Sequence, residues 1–459
     1  MIWTLAHQLA LFDGNMGSWI SKIVEKHPNI SCMPLEFQFT NLLAAQALGG
    51  LEWAGGPIVL IVDALDECGN DESRKFLLHA LQKGFLDLPP FLHIIVVSRR
   101  EPDIEDVLGS HPAVYSYPLD INSGSTKEDI LHFLQHHLSE IPKAKKLLLL
   151  PPDWPGHDSV QILSEQAGGL FIWASTACLY IKNSHYPSSR LTELITQQSV
   201  NTSSGPFFKL DKLYKTGLES AGDWTDSEFK SSCCDILGMI LCSRIPLSAS
   251  AIDSILALPQ PCLHIISYLG CVLQWSNSED QPIRTLHPSF HDYLAGRSCD
   301  EPWFVDIATY HYKISLCCIK LLQKSLKQNI CGLVLPNPVE EQTLSEQVAY
   351  ACRFWVAHVC IISKEASYVG DCMYDFLCQH ILHWIEGMAI LKNHDNTIHS
   401  LQRLLEWVKV CFIMSYVFIG THVQFYRKWY QITIIFTNLY MMDADLHNFL
   451  QILFRTIHC

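Results

Sequence analysis

The sequence predicts an α/β domain built on a parallel sheet, followed by domains that are almost entirely helical. Two apolar runs, Ile58–Val62 and Phe91–Ser98, have the β-branched composition of strands buried on both faces, as strands of parallel sheets are. An amphipathic helix over Glu72–Gly84 joins them, and a strand–helix–strand unit of this kind predicts parallel strands with a right-handed crossover. From Asp300 onward the apolar residues recur at helical spacing.

The length of the chain allows several domains, and its net charge excludes some classes of binding partner. The chain has 459 residues, of which 49% are hydrophobic and 17% charged, enough for about two to four domains with cores of their own. Its net charge of −14 argues against nucleic acid or an anionic membrane as the main partner. The 18 cysteines are scattered and no secretory signal precedes them, so we expect reduced cysteines in a cytoplasmic protein.

No segment is expected to span a membrane. Val410–Thr421 comes nearest, with roughly twelve apolar residues where about twenty are required. Apolar residues in the wider segment Val410–Tyr440 show weak helical periodicity, so we expect it to pack less well than the helices before it. Whether this segment is genuine or an error of the gene model stays open.

An acidic cluster follows the first predicted strand. Asp63 ends the apolar run, and Asp66 and Glu67 follow within one turn. Burying several carboxylates at a strand end is unfavourable unless a cation or strong donors compensate. Ligands of α/β folds bind at the carboxyl edge of the sheet, so this pattern predicts a Mg²⁺ site there. The alternative is an ordinary core strand that runs into a solvated acidic turn.

The second predicted strand ends in a polar residue and two arginines. Ser98 and Arg99 would face the same crevice as Asp63, where they could contact a terminal phosphate. In the alternative, Arg99 and Arg100 simply pair with the acids of the first strand end.

The middle of the chain is mostly helical. Within the crossover helix we expect Phe76 to face inward and Gly84 to be the residue that ends it. Val114–Leu119 has the composition of a third short strand, and a capping box beginning at Ser125 is expected to open the next helix. A helix pair follows, split by Gly168 and Gly169, and a segment rich in Ser, Thr and Asn indicates a linker.

Helix and strand patterns between Phe229 and Leu286 describe a winged helix. The first of three helices is followed by a short strand at Arg244–Pro246. Two further short strands, at Cys271–Trp275 and Ile283–Leu286, follow the third helix. The third helix, which reads DNA in many winged helices, carries no Lys or Arg here, so DNA binding is not expected. The predicted domains are a core at 1–120, a helical subdomain at 121–182, a linker at 183–228, a winged helix at 229–296 and a helical region at 297–459.

Taken in order, these segments resemble the NACHT-type signal-transduction NTPases that are abundant in fungi, related to the nephrocystin-3-like module. The resemblance is carried by an N-terminal helix, the acidic strand, the sensor strand, the Gly-Gly helical segment and the end of the winged helix. The matching segments are Trp3–Ala10, Ile61–Cys68, Val96–Pro102, Gly168–Ala174 and Arg284–Leu294. The fold it implies is a partial parallel-sheet P-loop NTPase core followed by winged-helix and all-helical domains.

The resemblance also implies roles for individual residues. Asp63 would hold Mg²⁺, while Asp66 and Glu67 would position the attacking water. Ser98 and Arg99 would sense the terminal phosphate, and His287 would touch the nucleotide from the winged helix. In the family, Mg-ATP or GTP operates a switch in which exchange of ADP for ATP opens the protein for oligomerisation, so we expect protein partners and self-association.

One part of the family pattern is missing. No G-x-x-x-x-G-K-S/T loop occurs anywhere in the sequence, and the nearest fragment, Gly124–Lys127, has the wrong order. Backbone N–H groups and the Lys of that loop make most of the contacts that bind the phosphates. We therefore expect a fragment of a NACHT signalling protein, truncated before the loop and before any C-terminal repeat domain, that is deficient in nucleotide binding. A nucleotide-independent protein interaction module or scaffold is the alternative.

Overall fold

The computed structural model describes most of the chain as two compact units, Met1–Leu119 and Asp120–Cys459. The described residues are mostly helical with two small sheets, which is compatible with α/β and helical domains in this order. They are residues 1–44, 48, 53, 55–69, 71–121, 123–144, 150–196, 206–276, 281–330, 344–362 and 366–418.

The first unit begins with three helices. They are α1 (Ile2–Phe12), α2 (Gly14–Lys26) and α3 (Leu35–Leu42). Asp13 caps α2, because its carboxylate accepts the backbone N–H groups of Asn15 at 2.9 Å and Met16 at 3.0 Å.

The two strands of this unit are parallel, as predicted. β1 (Ile58–Val62) and β2 (Leu92–Val96) pair in a register that places Val62 opposite Val96, and α4 (Asp71–Gly84) forms the crossover between them. Both strands therefore end at the same edge of the sheet. A short helix, α5 (Pro102–Leu108), follows β2 at that edge.

The described residues cover only one face of this sheet, which differs from the expectation of burial on both. Ile58, Leu60 and Val62 join the core formed with α1, α3 and α4. The residues between them point the other way, and the exposed fractions of Val59 and Ile61 are 48% and 65%. An apolar strand composition predicts the strand, but it does not determine how many of its faces are covered.

Three local expectations in this unit are wrong. Phe76 does not face inward, since 66% of it is exposed. Gly84 does not have the left-handed backbone of a helix-ending glycine; a Cβ there would lie 2.4 Å from the ring of Phe39, so close packing explains the glycine. Val114–Leu119 forms no strand, and Tyr115 within it is 91% exposed, because no strand of the described chain lies beside it.

The second unit opens with a layer of four helices. They are α6 (Gly124–Ala144), α7 (His157–Ala167), α8 (Phe171–Asn183) and α9 (Pro187–Thr196). Ser123, not Ser125, caps α6, because its hydroxyl accepts the Thr126 N–H at 3.1 Å. Gly168 and Gly169 separate α7 from α8, as predicted, and both have positive φ.

The segment predicted as a linker at 183–228 contains two packed helices. α9 and α10 (Pro206–Glu219) bury leucines and Tyr214 against the preceding helices. The linker prediction is therefore wrong for the described residues. Ser and Thr are common in linkers, but here the leucines recur at helical spacing between them and drive packing.

Three helices and three short strands follow in the predicted order. They are α11 (Ser227–Cys242), β3 (Leu247–Ser248), α12 (Ala249–Leu256), α13 (Leu263–Ile266), β4 (Leu273–Gln274) and β5 (Pro282–Thr285). The strands form an antiparallel sheet in the order β3–β5–β4. A short helix, α14 (Pro288–Asp292), and one π-helical turn come next.

Four long helices make up most of the described residues after position 306. They are α15 (Ile307–Ser325), α16 (Glu346–Val359), α17 (Ala366–Ile390) and α18 (His394–Phe418). Trp355 and Trp384 are fully buried between them, with ring centroids 5.7 Å apart. No helix among the described residues is long and apolar enough to cross a membrane. The expectation of loose packing at 410–440 lies mostly outside the described residues.

Candidate functional site

The acidic turn after β1 has an unusual backbone. Ala64 adopts the left-handed conformation with φ 52° and ψ 52°, and a short 3₁₀ turn over Leu65–Glu67 follows. The N–H of Leu65 donates to the carbonyl of Val97 at 3.1 Å, and Leu65 itself is fully buried. These contacts fix the turn to the end of β2. Left-handed backbone is uncommon for residues other than glycine and persists where surrounding contacts enforce it.

Asp66 is the acid that the second strand end holds. Its carboxylate accepts the backbone N–H of Arg99 at 3.0 Å. It also lies 3.2 Å from the hydroxyl of Ser98, whose single hydrogen is shared with the Arg99 carbonyl at 2.8 Å. The Arg99 Nε lies 3.3 Å from the other carboxylate oxygen, and only 7% of the Asp66 side chain is exposed. A nearly buried carboxylate is tolerated here because three donors, one of them charged, satisfy it.

The other two acids lie towards solvent. Asp63 is exposed, and its carboxylate accepts the Ala64 N–H at 3.0 Å. Glu67 is about half exposed, and one of its oxygens is 4.0 Å from a terminal nitrogen of Arg99. Ser98 hydrogen-bonds to Asp66. The predicted crevice shared by Asp63 and Ser98 stays a prediction.

The two arginines after β2 have different partners. Arg99 pairs with Asp66, which is the alternative that the sequence left open. Arg100 instead forms a two-point contact with Glu105 of α5, at 2.5 Å and 2.9 Å. Their contact raises the pKa of Arg100 and lowers the pKa of Glu105.

Sequence reasoning missed Arg74, in the first turns of α4. Its guanidinium donates to the carbonyl of Asp66 at 3.0 Å and to the Asp103 carboxylate at 2.7 Å. Hydrogen bonding to Arg74 lowers the pKa of Asp103. The position of Arg74 could have been predicted from the strand–helix–strand order, because the crossover helix begins at the carboxyl edge of the sheet. A basic residue there is a candidate to hold the acidic turn.

His287 lies in the second unit, at the N-cap of α14. Its Nδ1 accepts the backbone N–H of Ser289 at 3.1 Å and is 2.7 Å from the Ser289 hydroxyl. That hydroxyl is 2.8 Å from the phenol oxygen of Tyr214, which is 1% exposed. Burial raises the pKa of Tyr214 to about 12. Sequence reasoning missed both Ser289 and Tyr214, although Ser289 follows the candidate histidine by two residues.

The chemistry of the acidic turn suits a hard divalent cation. Mg²⁺ binds carboxylate oxygens, and proteins commonly hold it by one or two carboxylates together with water and substrate phosphates. Asp63 fits such a role because it is exposed at the sheet edge, and Glu67 lies close to it in sequence. Asp66 fits less well, because its oxygens already accept Ser98 and Arg99.

Two comparisons with known proteins bear on this site. The family described as Nephrocystin 3, N-terminal, matches residues 1–99, a range that includes the acidic turn, Ser98 and Arg99. The Vegetative incompatibility protein HET-E-1 of Podospora anserina is 23% identical over 382 residues, which is 75% of this chain. The chain is a relative of fungal NACHT-type proteins. It spans 26% of the length of HET-E-1, and its similarity extends well beyond residues 1–99.

Proposed function

We propose that this chain is part of a NACHT-type nucleotide-dependent switch, with its magnesium and phosphate groups at the carboxyl edge of β1 and β2. One observation carries the proposal: the acidic turn and Arg99 lie together at that edge, within the residues that match the nephrocystin-3-like family. Phosphoryl transfer depends mainly on positioning and charge neutralisation, for which acids and an arginine at one sheet edge are suited.

Within this proposal each of the three acids has a different role. Asp63 holds Mg²⁺, which would neutralise charge on the phosphates. Glu67, exposed in the same turn, positions the attacking water. Asp66 keeps Arg99 and Ser98 at the edge, and its own contribution to water positioning requires Arg99 to leave for the terminal phosphate.

The winged helix is the second part of the proposal. The order of α11, α12 and α13 with the β3–β5–β4 sheet supports a winged-helix domain at 229–296. In the switch, His287 is the residue of this domain that contacts the nucleotide. The helical region beyond it connects the switch to protein partners and to other copies of the chain.

We expect this chain to bind nucleotide weakly. Its 459 residues contain no G-x-x-x-x-G-K-S/T loop, and each missing charge-assisted phosphate contact would contribute roughly 1.5–3 kcal/mol. Dissociation constants on the order of millimolar follow.

A fusion experiment tests the proposal. A family-type phosphate-loop segment is placed ahead of Met1, and Mg²⁺-ATP binding is measured by calorimetry. The fusion is expected to bind, Asp63→Ala to abolish the Mg²⁺-dependent part, and Asp87→Ala, an exposed acid elsewhere in the unit, to leave binding unchanged. Equal binding by the fusion and its Asp63→Ala variant would show that the acidic strand is only a core strand with a solvated end.

A nucleotide-independent interaction module is the second candidate function. It is favoured by the exposed apolar face of the sheet, where Val59, Ile61, Ile95 and Val97 are each between 43% and 65% exposed. Contiguous apolar surface of this kind often marks a protein interaction site. In that case partner binding would be insensitive both to nucleotide and to Asp63→Ala.

A further inference from the structure

A chain of three side chains leads from the core of the second unit to His287. The Tyr214 phenol contacts the Ser289 hydroxyl at 2.8 Å, and that hydroxyl contacts His287 Nδ1 at 2.7 Å. The same Nδ1 lies 3.1 Å from the backbone nitrogen of Ser289. These contacts restrict where the imidazole can carry its hydrogen.

The backbone contact sets the direction of the whole chain. An amide N–H can only donate, so Nδ1 of His287 must present its lone pair to Ser289. The Ser289 hydroxyl then has to donate to the same nitrogen, which leaves its oxygen to accept from the Tyr214 phenol. In a neutral imidazole one nitrogen accepts and the other donates. The hydrogen of His287 therefore belongs on Nε2.

Tyr214 and Ser289 are themselves held in place by further contacts. Tyr214 packs against the rings of Phe290 and Tyr293, with centroids 5.1 Å and 5.6 Å away. The carbonyl of Ser289 accepts a hydrogen bond from Arg297 at 3.1 Å. Arg297 in turn forms a two-point ion pair with Asp211 of α10, at 2.8 Å and 2.9 Å. Ser289 is thus fixed through its backbone and its side chain.

We propose that Ser289 and Tyr214 are positioning residues that hold His287 in the tautomer with its hydrogen on Nε2, so that Nε2 donates to an anionic oxygen. The ligand class is a phosphate group, and this last clause rests on the proposed nucleotide switch. A histidine without such support exchanges between tautomers and presents an acceptor for part of the time. With this support, Nε2 of the neutral histidine carries the hydrogen for most of the time.

Histidine NMR on the full chain tests the proposal. The chain is labelled with ¹⁵N-histidine, and the His287 signals are identified by their loss in His287→Gln. A pyridine-type shift is expected at Nδ1 and a pyrrole-type shift at Nε2. Ser289→Ala removes one of the two donors to Nδ1 and is expected to lower the tautomer ratio roughly fivefold.

Two further variants and a control sharpen the test. Ser289→Thr keeps a hydroxyl and should restore the ratio, while Tyr214→Phe should shift it less than Ser289→Ala but in the same direction. Ser298→Ala removes another buried hydroxyl, one that bonds to the Leu294 carbonyl, and should change nothing at His287. If Ser289→Ala fails to fold, Tyr214→Phe and Ser289→Thr still decide the matter.

Two results would overturn the proposal: a hydrogen on Nδ1 in the unmodified chain, or unchanged His287 shifts in both Ser289→Ala and Tyr214→Phe. The readout needs no nucleotide. A fusion that fails to bind Mg²⁺-ATP would therefore contradict the proposed function and leave the tautomer result standing.

Discussion

Asp66 and Arg99 lie 33 positions apart in sequence and are joined twice in space, through the Arg99 backbone N–H at 3.0 Å and its Nε at 3.3 Å. This pair connects the turn after β1 to the loop after β2, and so it fixes the edge of the sheet where the proposed site lies. Asp66 therefore holds the two strand ends together, whereas Asp63 is the acid that we propose as a metal ligand.

Replacing Asp66 should loosen the sheet edge, whereas replacing Asp63 should not. Asp66→Ala removes the acceptor for Ser98, for the Arg99 N–H and for its guanidinium. Loss of charged hydrogen bonds of this kind predicts amide exchange roughly 30-fold faster in the peptide over Leu92–Arg99. Hydrogen exchange with mass spectrometry measures this directly. Asp63→Ala removes an exposed carboxylate and is the matched control; equal exchange in the two variants would contradict the holding role of Asp66.

Arg74 should contribute more to the stability of the first unit than the adjacent Lys75 does. Its guanidinium bonds both the Asp66 carbonyl and Asp103, and its side chain is 14% exposed. We expect Arg74→Ala to lower the free energy of unfolding of this unit by about 2 kcal/mol. Lys75→Ala, at an exposed position on the same helix, should cost less than about 0.5 kcal/mol. Thermal unfolding compares the two variants, and similar melting shifts would rule out the role assigned to Arg74.

The second unit should lose stability in acid because two neutral histidines are buried in it. His311 Nδ1 lies 2.7 Å from His358 Nδ1, and His358 Nε2 lies 2.8 Å from Tyr350, whose oxygen accepts the Arg244 N–H. Burial, with Arg244 nearby, lowers the pKa of His311 to about 4 and that of His358 to about 3. The unfolded chain, with histidine pKa values near ~6.5, binds more protons between these limits.

Stability is therefore full above pH ~6.5 and falls as the pH drops towards about 4, by at most about 1.4 kcal/mol per pH unit for each histidine. Urea unfolding followed by tryptophan fluorescence at several pH values measures the slope. Replacing His311 and His358 by Gln should flatten it, and replacing the exposed His264 should not. A slope that survives the double replacement would assign the acid sensitivity to other groups.

Gly169 should tolerate no side chain. Its φ is +85°, and a Cβ there would lie 1.9 Å from the Ile121 carbonyl oxygen, a backbone atom that cannot move aside alone. We expect Gly169→Ala to destabilise the second unit by about 3 kcal/mol or more, from strain and overlap together. Gly296→Ala is the control, since a Cβ there meets nothing within 4 Å. Comparable melting temperatures for the two variants would show that the chain at Ile121 adjusts freely.

Glu67 should affect turnover and not binding in the phosphate-loop fusion. Glu67→Gln keeps the shape of the side chain and changes only the group that positions water, so Mg²⁺-ATP affinity should stay within about twofold while hydrolysis falls by roughly 100-fold. Binding by calorimetry and phosphate release measure the two effects separately. A loss of affinity equal to the loss of turnover would give Glu67 a role in holding the metal.

The sequence by itself determined the strands, most helices and the residue types at the sheet edge. Apolar composition and β-branching identify β1 and β2, and a single crossover helix makes them parallel, because both signals are local or follow from chain connectivity. For the same reason the sequence alone assigns Asp63, Asp66, Glu67, Ser98 and Arg99 to one edge. The order of α11 to β5 was equally visible in the pattern.

Only the tertiary structure decided which of these residues touch. It placed Arg99 beside Asp66 and Arg100 beside Glu105. It also placed Arg74 beside Asp66, and Tyr214 beside Ser289. It also left Phe76 exposed, and it packed Gly84 so closely against Phe39 that no side chain fits there. Each of these outcomes depends on distances between elements that are far apart in sequence, and helical or strand periodicity carries no information about such distances.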